Sequence, residues 1–309
     1  MSRPGWRRRF TREQRLTAMS TVPSVEPRVS DVERTPAVES VGPPPGLDIG
    51  RAVRRALPPV AIGVAGLAVW ELVIRLNQIP YYILPGPLLV IQTLVRDWGT
   101  LYPSLLVTLA ITGAALLVAT VAGVLISILF TQSKLIELSL FPYAVILQVT
   151  PVVAIAPLII IWVKNIPLAL LICAWIVAFF PIVSNTTLGL NSADHNLLNL
   201  FQLYGASRRQ VFWYLRLPSA MPYFLGGLRI SGGLALIGAV VAEFVAGTGG
   251  SQSGLAYRIL ESGYTMQIPR MFAALLMITC TGILIFLALT ALSHLVLRKW
   301  HESAVEREG

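Results

Sequence analysis

The residues that could perform chemistry are few and scattered along this chain of 309 residues. Its two cysteines, Cys173 and Cys280, lie in separate apolar runs without metal-ligand spacing, and its 3 histidines are equally dispersed. None of the lysines follows a glycine, so the Gly-Lys-Ser/Thr loop that cradles a nucleotide phosphate is missing from the sequence. No nucleophile stands beside a base, and no two acids pair within an apolar run, which disfavours a membrane-embedded enzyme. We therefore predict no catalytic residue, no metal site and no cofactor bound by this chain itself.

A second group of residues brings polar side chains into apolar segments, where they are costly and often mark the path of a solute. Serine and threonine usually bond only the backbone of their own helix, whereas Gln148 and Asn185 are harder to satisfy in that way. Glu243 either lines an outer gate or bonds the backbone of a loop, and the sequence leaves both interpretations open. The candidate pathway residues are Gln148, Thr150, Asn185, Thr187, Ser231 and Glu243.

The segments that must position these side chains are strongly apolar. Hydrophobic residues make up 55% of the chain, charged residues 13%, and the mean hydropathy is +0.71. These values exclude a disordered chain and disfavour a soluble enzyme, because a soluble domain carries about 25% charged residues. A membrane helix needs about 20 mostly apolar residues. Six segments meet that requirement, at residues 57–76, 104–130, 136–161, 166–187, 224–246 and 272–297. The sequence thus predicts an all-α, multi-pass membrane protein.

Residues 1–55 differ from the rest and are predicted to form a disordered tail. They contain eleven arginines and six acids but no apolar run, so neither a signal peptide nor a span begins there. The arginines either keep a solvated tail in the cytoplasm or contact anionic lipid. The six-span domain then covers residues 56–300, and residues 301–309 form a short C-terminal tail.

Positive charge is distributed unevenly over the segments that connect the predicted spans. Eighteen lysines and arginines fall on the side of the N-terminal tail and five on the opposite side, which predicts that both termini are cytoplasmic. The net charge of +9 is therefore an orientation signal, and no nucleic-acid partner is expected. On the outer side, apolar residues at helical spacing predict an amphipathic interfacial helix. They are Leu88, Ile91, Leu94, Val95 and Trp98.

The predicted cytoplasmic connection over residues 188–223 contains two short amphipathic helices. The apolar face of the first is formed by Leu197, Leu200, Phe201 and Tyr204. Gly205 suits a left-handed end to that helix, and Ser207 with Gln210 has the spacing of a capping box that opens the second. Pro218 lies just beyond the predicted end of the second helix. Two such short helices are barely stable alone, which predicts a knob that is held by a partner.

This loop resembles that of ABC-importer permeases, whose pattern is Glu-Ala-Ala, three residues, Gly, nine residues, Ile, one residue, Leu-Pro. Gly205 is followed at that spacing by Leu215 and by Leu217-Pro218. Other segments resemble the nitrate, sulfonate and taurine branch of the family. They are Gly205-Ala206-Ser207-Arg208, Gly227-Leu228-Arg229, Phe179-Phe180-Pro181, Val241-Ala242-Glu243, Ser253-Gly254-Leu255 and Leu84-Pro85-Gly86-Pro87. The chain departs from the pattern at Asn199, Leu200 and Phe201, which replace Glu and two Ala, and at residues 163–166, which replace a glycine-rich turn.

The resemblance covers about residues 57–300 and implies the type I ABC importer permease fold. In that family the loop inserts into a groove on a cytosolic ATPase, so the resemblance implies a mechanical role for this segment. The implied coupling residues are Asn199, Leu200, Phe201, Gly205, Ala206, Ser207, Arg208, Leu215, Leu217 and Pro218. It also implies a bacterial inner-membrane location, ATPase subunits that bind the ATP, and a periplasmic or extracellular substrate-binding protein. The implied substrates are small anions such as nitrate, sulfonates or taurine, or pyrimidine-like and vitamin-like compounds, with a slight preference for neutral heterocycles because intramembrane charges are few.

A single subunit has too few polar residues in its spans to enclose a pathway, which predicts a homodimer with the pathway along its axis. Close approach of helices is favoured by a set of small residues. These are Gly226, Gly227, Gly232, Gly233 and Gly238. The alternative is an ATP-independent secondary transporter or channel. Such folds often contain repeated halves with broken helices, and no clear repeat is seen in this sequence.

Overall fold

The computed structural model describes residues 49–247 and 253–298, with side chains from Leu57 onward. Most of the predicted N-terminal tail and all of residues 301–309 therefore lie outside the described residues. The chain divides into two units, residues 1–59 and 60–309. The described part of the first unit is the start of helix α1 (Ile49–Leu76), which begins within the segment predicted as tail. The remaining elements belong to the second unit.

Helices joined by short connections make up the second unit. After α1 come α2 (Pro87–Arg96), α3 (Trp98–Gln132), α4 (Lys134–Val149), α5 (Val152–Val163), α6 (Ile166–Asn191), α7 (His195–Leu203), α8 (Arg208–Val211), α9 (Leu217–Ala246), α10 (Leu255–Tyr264) and α11 (Ile268–Leu297). Within the described ranges, 5 helical stretches are long and apolar enough to cross a membrane, and a bent pair makes up to 6. The prediction of an all-α protein with about six apolar spans is confirmed.

The third predicted span, residues 136–161, consists of two helices, α4 and α5, whose axes differ by 98°. Thr150 and Pro151 form the break, and both have extended backbone, with ψ angles of 121° and 111°. Proline lacks an N–H and pushes the residue before it out of the helical region, so α4 ends at Val149. The kink expected from the prolines is thus close to a right angle, and this segment is not one straight span.

Helix α6 lies at the centre of the described domain, packed against α9 on one side and α3 on the other. Small residues allow this contact. A Cβ atom added to Gly238 would lie 2.8 Å from Cα of Ala174, and one added to Gly227 would lie 2.8 Å from the Pro181 carbonyl oxygen. Close backbone approach gives membrane helices dispersion contacts that lipid cannot replace, so α6 and α9 form the most intimate helix pair.

The five glycines predicted to allow close approach along α9 fall into two groups. Three of them adjoin another helix, namely Gly227, Gly232 and Gly238. Gly226 and Gly233 instead have open space where a side chain would lie. They share a face of α9 with Ile230 and Ile237, whose side chains are more than half exposed. This open face has no neighbour within the described part of the chain.

The predicted amphipathic helix is present in part, as α2, which ends at Arg96, so that the predicted face residue Trp98 begins α3 instead. Its location on the outer side stays a prediction. Its buried residue is Val90, at 4% exposure, which packs in one cluster with Leu101 and Met277. Leu88 and Val95, which belong to the predicted apolar face, are 63% and 71% exposed. Helix α2 therefore contacts α3 and α11 through Val90, while Leu88 and Val95 on its other side are exposed.

Candidate coupling loop and translocation pathway

The first half of the predicted coupling loop is helix α7 with a closed turn at its end. The Asp194 carboxylate accepts a hydrogen bond of 2.7 Å from the backbone of the first turn. At the other end Gly205 is left-handed, with φ 65°. Ala206 N–H donates to the Phe201 carbonyl at 2.9 Å, and Gly205 N–H donates to the Gln202 carbonyl at 3.0 Å. This pair of bonds is a Schellman cap, for which glycine carries no steric penalty, so the predicted left-handed end is confirmed.

The second half of the loop opens with the predicted capping box. Gln210 N–H donates to Ser207 Oγ at 3.3 Å, and Ser207 N–H donates to Gln210 Oε1 at 2.7 Å. Two donors at the helix start are thereby satisfied reciprocally. The Schellman cap ends at Ala206 and the capping box begins at Ser207, so no residue without a capping hydrogen bond lies between α7 and α8.

The second loop helix does not end before Pro218, and that prediction is wrong. Helix α8 passes through a π turn, Phe212–Arg216, into α9, so that one helical stretch runs for 39 residues from Arg208 to Ala246. In the π turn, Leu217 N–H donates to the Phe212 carbonyl five residues earlier. Pro218 has no N–H to contribute, and the wider turn before it carries the helix past the proline. The non-helical connection is correspondingly shorter than residues 188–223.

Exposed apolar and aromatic side chains surround a groove on this loop, with a volume of about 570 Å³. Its lining residues are Leu200, Phe201, Tyr204, Gly205, Ala206, Gln210 and Tyr214. Tyr204 and Tyr214 are 83% and 74% exposed. Of the other implied coupling residues, Asn199, Ser207 and Arg208 are exposed, Leu217 and Pro218 are half-buried, and Leu215 is buried. The loop thus presents an apolar surface that nothing else in the described chain covers.

The six candidate pathway residues do not converge on one cavity. Gln148 is exposed, the Thr150 hydroxyl donates to the Ile146 carbonyl at 2.7 Å, and the buried Thr187 hydroxyl has no partner among the described residues. Asn185 Nδ2 donates to the Pro181 carbonyl at 2.8 Å, so its own helix satisfies a side chain that was expected to need another partner. None of the six lines the groove on the loop, and their role in a pathway stays a prediction.

Ser231 forms a hydrogen bond between the two central helices. It is fully buried, and its hydroxyl donates to the Ala178 carbonyl of α6 at 2.7 Å. The Ser127 hydroxyl of α3 is shared between the Gly123 carbonyl of its own helix, at 2.8 Å, and the Val183 carbonyl of α6, at 3.0 Å, and the second contact was not revealed by the sequence. These two serines therefore attach α9 and α3 to α6 by polar contacts inside the apolar bundle.

Glu243 lies near the end of α9 that is predicted to face outward, and it is 3% exposed. One carboxylate oxygen accepts a hydrogen bond from the Thr108 hydroxyl at 2.8 Å, and the other accepts from Ala256 N–H at 3.0 Å. Thr108 also accepts from Leu255 N–H at 3.0 Å. These bonds connect α3, α9 and the start of α10. Of the two interpretations left open for Glu243, the geometry in one subunit supports bonding to the backbone of a connecting segment.

Gly254 and Arg258 complete this network. A Cβ atom on Gly254 would collide with the Glu243 carboxylate, which accounts for a glycine at this position. Arg258 Nε donates to Ser104 Oγ at 2.9 Å, and its Nη1 pairs with Glu261 at 2.8 Å. Sequence reasoning missed Ser104 and Arg258 because 154 positions separate them. The available indication was that Ser104 and Thr108 are hydroxyls one turn apart on an otherwise apolar helix.

Comparison with known proteins shows the family to which these features belong. Residues 119–301 match the family described as binding-protein-dependent transport system inner membrane component. The chain belongs to this family. The formylaminopyrimidine transport permease protein ThiX of Halalkalibacterium halodurans is 33% identical, over 79% of this chain and 96% of ThiX. The riboflavin transport system permease protein RibX of Chloroflexus aurantiacus is 31% identical, over 77% of this chain and 87% of RibX.

A third relative and a solved structure agree with this assignment. The taurine transport system permease protein TauC of Escherichia coli is 29% identical, over 76% of this chain and 86% of TauC. A crystal structure of an amino acid ABC transporter with histidines has a TM-score of 0.55 at 18% identity, covering 67% of this chain and 97% of that chain, and it supports the fold. The protein is therefore a multi-pass inner-membrane permease subunit of an ABC importer for small solutes, related to the nitrate, sulfonate and taurine branch. Membership of the family implies ATPase and substrate-binding-protein partners.

Proposed function

We propose that the permease couples ATP-driven closure of two ATPase subunits to movement of its spans through the loop formed by α7 and α8. The observation that supports this proposal is that the second half of the loop and the following span form one continuous helical stretch. From Arg208 onward, the loop is the beginning of the same helix that runs to Ala246, a stretch of 39 residues. A force on the loop therefore reaches the span without passing through a flexible connection. The excess of positive charge supports a cytoplasmic location for the loop and for both termini.

We further propose that two copies form a homodimer with the solute pathway between them. The open face of α9 supports this arrangement, because Gly226 and Gly233 leave space beside the exposed Ile230 and Ile237. On its other side, α9 is packed tightly against α6, so movement of α9 carries the centre of the bundle with it. Alternating access then follows as a shift between outward-open and inward-open populations, biased by the nucleotide state of the ATPases.

For the substrate, we propose a small heterocycle of the pyrimidine or vitamin type in preference to a taurine-like anion. ThiX and RibX, whose names give formylaminopyrimidine and riboflavin, are 33% and 31% identical to this chain, and TauC is 29% identical. The described spans also offer few cationic side chains for an anion. Selectivity at high affinity resides in the substrate-binding protein, so the ligand of that protein, measured by calorimetry, tests this assignment directly.

The coupling proposal is tested by uptake and ATP hydrolysis in proteoliposomes that contain the permease, its ATPase and its binding protein. Gly205→Pro should abolish binding-protein-stimulated hydrolysis and uptake, because proline requires a φ near −65° where the loop has +65°. Gly205→Asn is the matched control and should retain most activity, since asparagine tolerates the left-handed conformation. Normal uptake by the Gly205→Pro variant would contradict the assignment of the loop. Wild-type complex without stimulated hydrolysis would contradict coupling altogether.

A further inference from the structure

A cavity of about 390 Å³ lies between the coupling loop and the end of α3, and we call it the junction pocket. Thr131 and Gln132 line it from the end of α3, and Gln202, Arg208 and Arg216 line it from the loop. Its lining is mainly polar, whereas the groove on the loop is mainly apolar. The two cavities therefore suit different kinds of ligand.

The junction pocket carries an uncompensated positive charge. Among the described residues, its lining includes two arginines and no carboxylate. The ion pairs of the described chain involve other residues, namely Arg75 with Glu71, Lys134 with Glu137, Arg258 with Glu261 and Arg270 with Asp97. The Thr131 hydroxyl is used within its own helix, where it donates to the Ile128 carbonyl at 2.8 Å. Guanidinium and amide groups are thus the donors available to a ligand.

These donors suit an oxyanion such as a phosphate group. A guanidinium binds two phosphate oxygens with parallel hydrogen bonds, and glutamine N–H groups add further donors. Arg216 is half-buried, so a bound anion compensates a charge that is partly removed from water. Apolar side chains of the same lining, among them Val211 and Phe212, adjoin the polar donors, as at the boundary between headgroups and acyl chains.

We propose that the junction pocket binds a phosphate-bearing anion, either the headgroup of an anionic phospholipid or free phosphate, and that the bound anion holds the coupling loop against α3. The placement of the pocket at the cytoplasmic leaflet depends on the proposed function. Binding of the anion does not depend on it, because it needs only the geometry of one permease subunit. A ligand at this place joins the part of the permease that moves with the loop to a neighbouring span.

The test is native mass spectrometry of the full-length permease, titrated in detergent with phosphatidylglycerol or with phosphatidylcholine of the same acyl chains. The wild type should prefer phosphatidylglycerol. Arg208→Gln and Arg216→Gln should each weaken its binding about fivefold, the contribution of one arginine at an anionic lipid surface. Arg209→Gln is the matched control, because this adjacent arginine has the same charge but does not line the pocket. Loss of the preference in the Arg209→Gln variant to the same degree would overturn the proposal.

A second titration with inorganic phosphate separates the two sources of the anion. If phosphate raises the melting temperature of the wild type but not of the Arg208→Gln, Arg216→Gln double variant, the ligand is free phosphate. If phosphatidylglycerol alone depends on the two arginines, the ligand is a lipid. If the effects of phosphate and of phosphatidylglycerol are both unchanged in the double variant, the junction pocket is not an anion site. Uptake by the reconstituted complex is measured separately, so failure of the coupling proposal leaves this result interpretable.

Discussion

Replacing Gly254 by alanine should break the connection between α10 and the two helices beneath it. The added Cβ atom would enter the position of the Glu243 carboxylate. That carboxylate is enclosed, since it accepts hydrogen bonds from Thr108 at 2.8 Å and from Ala256 N–H at 3.0 Å while remaining 3% exposed. The Glu243 carboxylate therefore has to move to avoid the added Cβ, and moving it breaks or distorts at least one of these hydrogen bonds.

The size of the effect follows from those two contacts. A hydrogen bond to a charged group contributes about 1.5–3 kcal/mol, and leaving a buried acceptor unsatisfied costs a similar amount. Loss of one bond with distortion of the other should lower the free energy of unfolding by about 2–4 kcal/mol. For a domain of this size, that corresponds to a fall in melting temperature of about 4–16 °C.

Thermal unfolding of the purified permease, followed by tryptophan fluorescence, measures this change. Gly263→Ala is the matched control in the same helix, because the nearest atom to its added Cβ would be the Met271 sulfur at 3.9 Å. It should leave the melting temperature unchanged or raise it slightly, as alanine is the better helix former. In a Glu243→Ala background, Gly254→Ala should cause little further fall in melting temperature, because the carboxylate with which the added Cβ collides is no longer present. Additive effects of the two substitutions would refute the reasoning.

Three further substitutions are compared by the same thermal assay. Gly238→Ala should lower the free energy of unfolding by about 1–3 kcal/mol, because its Cβ would lie 2.8 Å from Ala174 Cα. The control Gly113→Ala has open space around the added Cβ and should leave the free energy of unfolding unchanged. Equal melting temperatures of the two variants would contradict the close α6–α9 contact. Ser231→Ala removes the 2.7 Å bond between the same helices and should cost about 1 kcal/mol, and an unchanged melting temperature would show that the bond contributes nothing. Lys164→Gly should stabilise the turn after α5 by about 1 kcal/mol, since Lys164 is left-handed with φ 55°; a lower melting temperature would argue against strain there.

The features that sequence predicted well depend on residues within a few positions of each other. The left-handed Gly205 and the capping box of Ser207 with Gln210 are set by hydrogen bonds that span three to five residues, so their residue types and spacing suffice. The apolar spans were also recognisable, because the number of apolar residues needed to cross a bilayer is set by its thickness. The resemblance then gave the family, which the comparisons confirm.

Most of the features that were missed depend on contacts between distant residues. The Thr108 partner of Glu243 lies 135 positions away, and nothing in the neighbourhood of either residue indicates the pair. One local feature was also missed: proline usually ends a helix, which predicts an end before Pro218, but the π turn over Phe212–Arg216 accommodates the proline within a continuous helical stretch. The candidate pathway residues remain a prediction, since a pathway between two subunits needs the second subunit to define it.

In the proposed coupling mechanism, the length of the helical stretch from Arg208 to Ala246 determines how far each of its ends moves. Its 39 residues give a rod of about 58 Å, while the hydrocarbon core is about 30 Å thick. In the proposed orientation, a rod of this length that tilts about the bilayer midplane acts as a lever whose longer arm lies in the cytoplasm. With that arm at about 40 Å, a tilt of 10° displaces Arg208 by about 7 Å, and the shorter arm moves correspondingly less. In the proposed mechanism, a wide displacement of the loop at the ATPase therefore becomes a smaller displacement at the other end of α9, where Glu243 holds the start of α10.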